Sequence, residues 1–243
     1  INNDLEPAID DSPIFNLSST GGKILTFKGN GRNFNLGANA GNGFAELNSL
    51  QGEVVIAPSI VFNKVAAVNA KQGTLTLQQA DLQKSNFTIG TAGVDATLVI
   101  DVENDNADFL AAAPNAKTLT WNTADSELKV SNPLASTANR TLTIHDNIIP
   151  TNDIEGNLTL SSNAAGGGGG GNFSLSLEGN AATETIGDAT HRLKKITIDG
   201  TEEMNVNDVA LYAKEIEITN TGDVALKRLV VTDNGNDKGK LVI

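Results

Sequence analysis

Two aliphatic residues separated by one polar residue recur along this 243-residue chain, and this unit constrains the fold most. It reads Leu25-Thr26-Phe27, Val54-Val55-Ile56, Leu75-Thr76-Leu77, Leu98-Val99-Ile100, Leu119-Thr120-Trp121 and Leu142-Thr143-Ile144. It continues as Leu158-Thr159-Leu160, Leu175-Ser176-Leu177, Ile196-Thr197-Ile198, Ile216-Glu217-Ile218 and Leu229-Val230-Val231. A period of two is the strand period: one side faces a core and the other faces water. From position 54 to position 216 the first residues advance by 21, 23, 21, 23, 16, 17, 21 and 20. A loose period of this size predicts a repeat architecture, each turn stacking its strand on the equivalent strand below.

The predicted fold is an all-β, right-handed parallel β-helix of roughly 20-residue rungs. Stacked strands about 4.8 Å apart pair every backbone group with the rungs above and below. The inward aliphatics then form a narrow core that needs few aromatics, and only 4% of residues are aromatic. Predicted inward positions are Leu75, Leu77, Leu98, Ile100, Leu119, Trp121, Leu142, Ile144, Ile196 and Ile198. The pairs Ile60/Phe62, Phe87/Ile89, Leu128/Val130 and Val209/Leu211 supply weaker strands. Asparagine, with 29 copies, suits turns and can stack from rung to rung. Tandem immunoglobulin-like sandwiches are the competing all-β reading. Each such domain carries a buried Trp and a Tyr corner, whereas Trp121 and Tyr212 are single and far apart.

Residues 1–243 read as a single β-helical segment, an internal piece of a longer protein. Two stretches break the rhythm. Gly166 to Gly171 predicts a flexible loop leaving a rung. Ala107 to Pro114 predicts a short helical turn on the outside of the coil, ended by Pro114.

Charge and composition narrow the chemistry. The net charge is −12, and no stretch concentrates cations, so binding along nucleic acid is not expected. There is no cysteine, hence no disulfide, zinc thiolate or thiol nucleophile. No apolar run reaches the length of a transmembrane helix, so membrane insertion of this segment is not expected. His145 beside Asp146 reads as an exposed turn pair, and His191 lies beside Arg192; neither has a nucleophile elbow nearby. Polysaccharide-active β-helices prompt a search for a polygalacturonase-type signature. Gly-His-Gly and Arg-Ile-Lys are missing, and Asn122-Thr123-Ala124-Asp125 only approximates a third phrase.

Calcium is the more plausible small ligand, but the loops fail its spacing. Asp233 to Gly239 places Gly235 and Lys238 where an EF-hand needs an oxygen and a glycine. Asp101 to Asn106 has oxygens at the first, third and fifth positions, then Asn106 instead of glycine and Ala112 instead of the closing Glu. Glu103 to Phe109 also resembles a cadherin linker, with Val102 and Asp108 out of pattern. Solvated acidic turns are the reading adopted. Five Asn-x-Ser/Thr triplets, at Asn16, Asn86, Asn139, Asn157 and Asn172, matter only in a eukaryotic secretory setting. The sequence therefore assigns no catalytic, cofactor-binding or metal-binding residue, no cofactor and no enzymatic activity.

The stretch from Ile186 through Gly200, Ile-Gly followed by a polar spacer, Arg-Leu and a strand ending in Gly, resembles a repeat phrase of bacterial autotransporter passengers. It is most similar in style to the rickettsial outer membrane protein B and surface cell antigen group. Gly22 to Gly31 has the same character. The resemblance implies a β-helical stalk on the outer face of the bacterial outer membrane, or secreted, exported through a C-terminal barrel outside this segment. It implies adhesion or surface-layer assembly, with a host cell-surface protein or neighbouring copies as partners. It supplies no catalytic residues. The alternatives are a β-helical polysaccharide lyase or hydrolase, and a phage tail fibre or tailspike segment.

Overall fold

A computed structural model describes residues 13–29, 33–37, 43–132, 139–151, 154–162, 174–181, 184–231 and 239–243. Among these, every pairing between strands is parallel. The chain winds as a parallel β-helix with three strands to a turn. The first ladder stacks Ile14–Leu17, Phe44–Ser49, Val65–Ala70, Asn86–Ile89 and Leu119–Trp121. Higher up, Ile148 bridges Ile186, which pairs with Leu211, which pairs with Leu229. The second ladder runs through Ile24–Phe27, Glu53–Ile56, Gly73–Leu77, Ala96–Asp101, Glu127–Ser131, Asn157–Ser162 and Leu193–Gly200. It continues to residues 213–218 and Lys240–Val242.

The third ladder is in two parts. Phe34–Asn35 pairs with Ile60–Val61. A separate stack begins at Asp81–Leu82 and rises through Asn106–Phe109, Arg140–Ile144, Ser174–Gly179 and the start of Glu203–Ile218. Among the described residues no strand pairing joins the two parts. The 16-residue strand Glu203–Ile218 contributes to all three ladders in one pass, with a register shift between Val206 and Ala210 at a corner.

The repeat unit maps onto this coil with one difference. Second-ladder register aligns Leu25, Val54, Leu75, Leu98, Leu128, Leu158, Ile196, Ile216 and Leu241. A turn therefore takes 20 residues at its shortest, Ile196 to Ile216, and 38 at its longest, Leu158 to Ile196. The steps from 98 to 119 and on to 142 are not turns: Leu119 is in the first ladder, and Leu142 and Leu175 are in the third. Alternation is the same on all three faces, so its spacing does not distinguish them.

All ten predicted inward side chains are buried, none more than 3% exposed. They join a single apolar cluster that runs from Leu17 to Ile216. Phe87 and Phe109 meet inside it, ring centroids 5.0 Å apart. The predicted helical turn at Ala107 to Pro114 is not formed. Asn106–Phe109 is a strand between Asp81–Leu82 and Arg140–Ile144, with Ala107 and Phe109 buried. Burial of Phe109 over Leu82 and pairing on both edges outweigh the weak helical preference of the alanine run. Gly166 to Gly171 lies outside the described residues.

Corners and outward columns are specified locally. Gly73 has φ +74° in the left-handed region, and a Cβ there would lie 2.2 Å from the Gly52 carbonyl oxygen one turn below. Only glycine fits so sharp a corner stacked so closely. Asparagine does stack, but within strands: Asn69 Nδ2 donates to Asn48 Oδ1 at 2.8 Å, and Asn48 Nδ2 to Asn16 Oδ1 at 2.9 Å. On the second ladder Lys195, Glu215 and Lys240 form an outward column. Lys195 bonds Glu217, which holds its ammonium above the usual lysine range, and Lys240 with Lys195 keeps Glu215 below the usual carboxylate range. These pairs are exposed and screened.

Candidate functional site

The break in the third ladder opens a groove of about 440 Å3. Its floor is set by the chain turning from the second ladder to the third. Gln78 N–H donates to the Ile56 carbonyl, and the next side chain, Gln79, folds down onto the same turn. Gln79 Nε2 donates to the carbonyls of Ile56, at 3.0 Å, and Ala57, at 2.8 Å. The amide thereby replaces strand pairing at this corner. Its nitrogen is used, so its orientation is fixed, and Oε1 has no hydrogen-bond partner although Gln79 is only 4% exposed. Asn33, Ser59, Val61, Asp81 and Asn104 line the same groove. Ser59 Oγ accepts the Gly29 N–H at 2.9 Å. Asp81 accepts the Gln83 N–H and pairs with Lys84 at 3.2 Å.

The acidic stretch beside the groove is divided among partners rather than gathered. Gln78 Nε2 donates to Asp101 Oδ2 at 3.1 Å and to Glu103 Oε1 at 2.9 Å, so these two carboxylates face one amide. Ser131, one turn up, donates to Asp101 Oδ1. Burial pushes the Asp101 carboxyl above its usual range, against the opposing pull of Gln78, Ser131, Arg140 and Lys129. Burial also raises Glu103, with help from the charge on Asp101. Asp105 pairs with Arg140 at 2.8 Å. Asp108 pairs with His145 Nε2 at 2.7 Å. Among the described residues no group of three or more acidic or imidazole side chains is placed to hold a metal ion.

The histidine reading needs correcting. His145 does not pair with Asp146 as an exposed turn. It is drawn onto Asp108 of the preceding turn, while Asp146 accepts the Asn147 N–H. The pairing follows from third-ladder register, which sets Asp108 beside Thr143 and Phe109 beside Ile144. His191 does sit in an exposed turn, closed by Asp188. Partial burial disfavours the Asp188 charge, but donors from the His191 and Thr190 backbone and side chains outweigh it and hold the carboxyl at about 2. Arg192 is buried and donates to the Ala189 carbonyl.

The remaining sequence motifs serve the scaffold. Asn122 donates to the Gly90 carbonyl, Thr123 bonds Ser126, and Asp125 pairs with Lys194, so this stretch ties turns together. Asn86 accepts from Thr118, and Asn157 donates to the Ala124 carbonyl. Gly239 apart, the Asp233 to Gly239 loop lies outside the described residues, as does Asn172. Sequence reading missed Gln78, Gln79, Asn33 and Ser59. The adjacent pair Gln78-Gln79, directly after a strand unit, was the one available signal.

Comparison with known proteins gives one informative similarity. The chain is 27% identical over 208 residues to the "Outer membrane protein A" of Rickettsia conorii (strain ATCC VR-613 / Malish 7). The match covers 83% of this chain and spans only about 10% of that protein's length. No family model matches the chain, and no solved structure matches it.

Proposed function

We propose that this chain is a structural and adhesive segment of a bacterial cell-surface protein, a β-helical stalk of an autotransporter passenger. The observation that carries the reading is the similarity to a rickettsial outer membrane protein over 83% of the chain. The fold supports it: three parallel ladders make a stiff scaffold whose turns and outward columns are available for contact. Its mechanism is presentation. Several rungs together form a binding surface, so no single ionisable group is indispensable. Its partners are a host cell-surface protein or neighbouring copies, and the protein has no turnover. The test pairs purified chain with cultured host cells and, separately, with a panel of polysaccharides. Saturable attachment without sugar cleavage is the expected result. Failure to attach at any concentration removes the adhesive reading.

A second reading, a β-helical polysaccharide-active enzyme, is favoured by one feature. Asp101 and Glu103 share the Gln78 amide, and both carboxyls are raised, as a general acid requires. Product release abolished by Asp101→Asn or Glu103→Gln would establish it over the adhesive one.

A further inference from the structure

We propose that the groove at the break in the third ladder binds an uncharged sugar unit of a glycan. Its volume, about 440 Å3, suits a ligand of one or two sugar rings. The chemistry of its walls selects hydroxyl groups. A hydroxyl both donates and accepts, and the groove offers both roles. Asn33 and Asn104 are exposed side-chain amides at the mouth, each with a donor and an acceptor. The Gln79 amide is locked by the Ile56 and Ala57 carbonyls, with its Oε1 buried, so it shapes the floor of the groove and does not itself contact a ligand. Asp81, its charge met by Lys84, can accept further hydroxyls. No Lys or Arg is among the described lining residues, and Lys84 beside them is engaged by Asp81, so the described walls favour a neutral ligand over a phosphate, sulfate or uronate. Half-buried Val61 offers apolar surface to the C–H face of a sugar. Phe62 is 2% exposed and so cannot stack on a ring, which sets affinity in the weak, millimolar class.

This site goes beyond the surface-stalk reading and does not depend on it, since the groove exists in the isolated chain. The experiment is saturation-transfer NMR on the full 243-residue chain with cellobiose, lactose and chitobiose as neutral probes and digalacturonate as the anionic one. At least one neutral disaccharide gives transfer, and digalacturonate gives none. Asn104→Ala and Asn33→Ala alter exposed side chains, so an unchanged melting curve verifies the fold of each. Each weakens binding about fivefold to tenfold, the effect of losing a hydrogen bond. His191→Ala, in a distant exposed turn, leaves binding unchanged. The proposal is overturned if no neutral probe shows transfer at millimolar concentration. It is equally overturned if transfer persists unchanged in both asparagine variants, or if digalacturonate binds as well as the neutral sugars.

Discussion

Gly156 lies over the sole tryptophan, and a two-residue experiment isolates what that contact does. A Cβ built on Gly156 would sit 2.0 Å from Trp121 Cδ1, 2.2 Å from Cγ and 2.4 Å from Nε1. Those separations are far inside van der Waals contact, and the Gly156 backbone is not in the left-handed region, so the indole is the obstacle. Trp121 is 1% exposed, with the apolar core around it, and a rigid ring there has little room to shift. Overpacking of this kind costs about 1–3 kcal/mol, and Gly156→Ala should reach the upper end. Trp121→Ala alone should cost about 3–5 kcal/mol through lost burial and the cavity left behind. In that background the obstacle is gone. Gly156→Ala then becomes neutral or stabilising by about 0.4–1 kcal/mol, because alanine restricts the unfolded chain. The two changes are therefore coupled by roughly 2–4 kcal/mol. The assay is urea unfolding followed by far-ultraviolet circular dichroism for the native protein, both single variants and the double. An equal cost for Gly156→Ala in both backgrounds, or no cost in the native one, refutes the steric argument.

Three further outcomes follow from the same structure. Leu142→Asp places a charge at a 1% exposed position within the apolar core; it should cost about 3 kcal/mol or more, seen as a fall in the urea midpoint. Burial raises Asp101 above its unfolded value of 3.8, so the folded state holds the proton more tightly than the unfolded one. Its ionisation then penalises folding as pH rises from about 3.8 through the raised value, and the native protein should gain stability relative to Asp101→Asn as pH is lowered through that window, read from urea midpoints. Chelation should leave the melting temperature unchanged, because the acids of 101–108 face Gln78, Arg140 and His145 instead of a common centre; a calcium-reversible drop of many degrees in EDTA would contradict this.

Strand character and the inward face were legible in the sequence. Period-two alternation is a local property, and a side chain two residues from a buried neighbour on the same strand faces the same core. Hence all ten predicted inward residues, Leu75 to Ile198, are buried. Parallel stacking was also legible, since repeated similar units separated by long connections suit parallel ladders rather than hairpins. Which ladder each unit joins was not. Leu119 and Leu142 read like Leu98 yet lie on two other faces, because the corners between strands vary in length and leave no mark on the alternation. Ala107 to Phe109 became a strand only because slots below Arg140–Ile144 and above Asp81–Leu82 were there to receive it. The polar partners depend on register across a turn: Asp108 finds His145, and Asp101 finds Gln78, over separations of 37 and 23 residues. The groove depends on a missing pairing between Ile60–Val61 and Asp81–Leu82, with Gln79 folded into the corner. Contacts between turns arise only once the coil is wound, so tertiary structure alone could decide them.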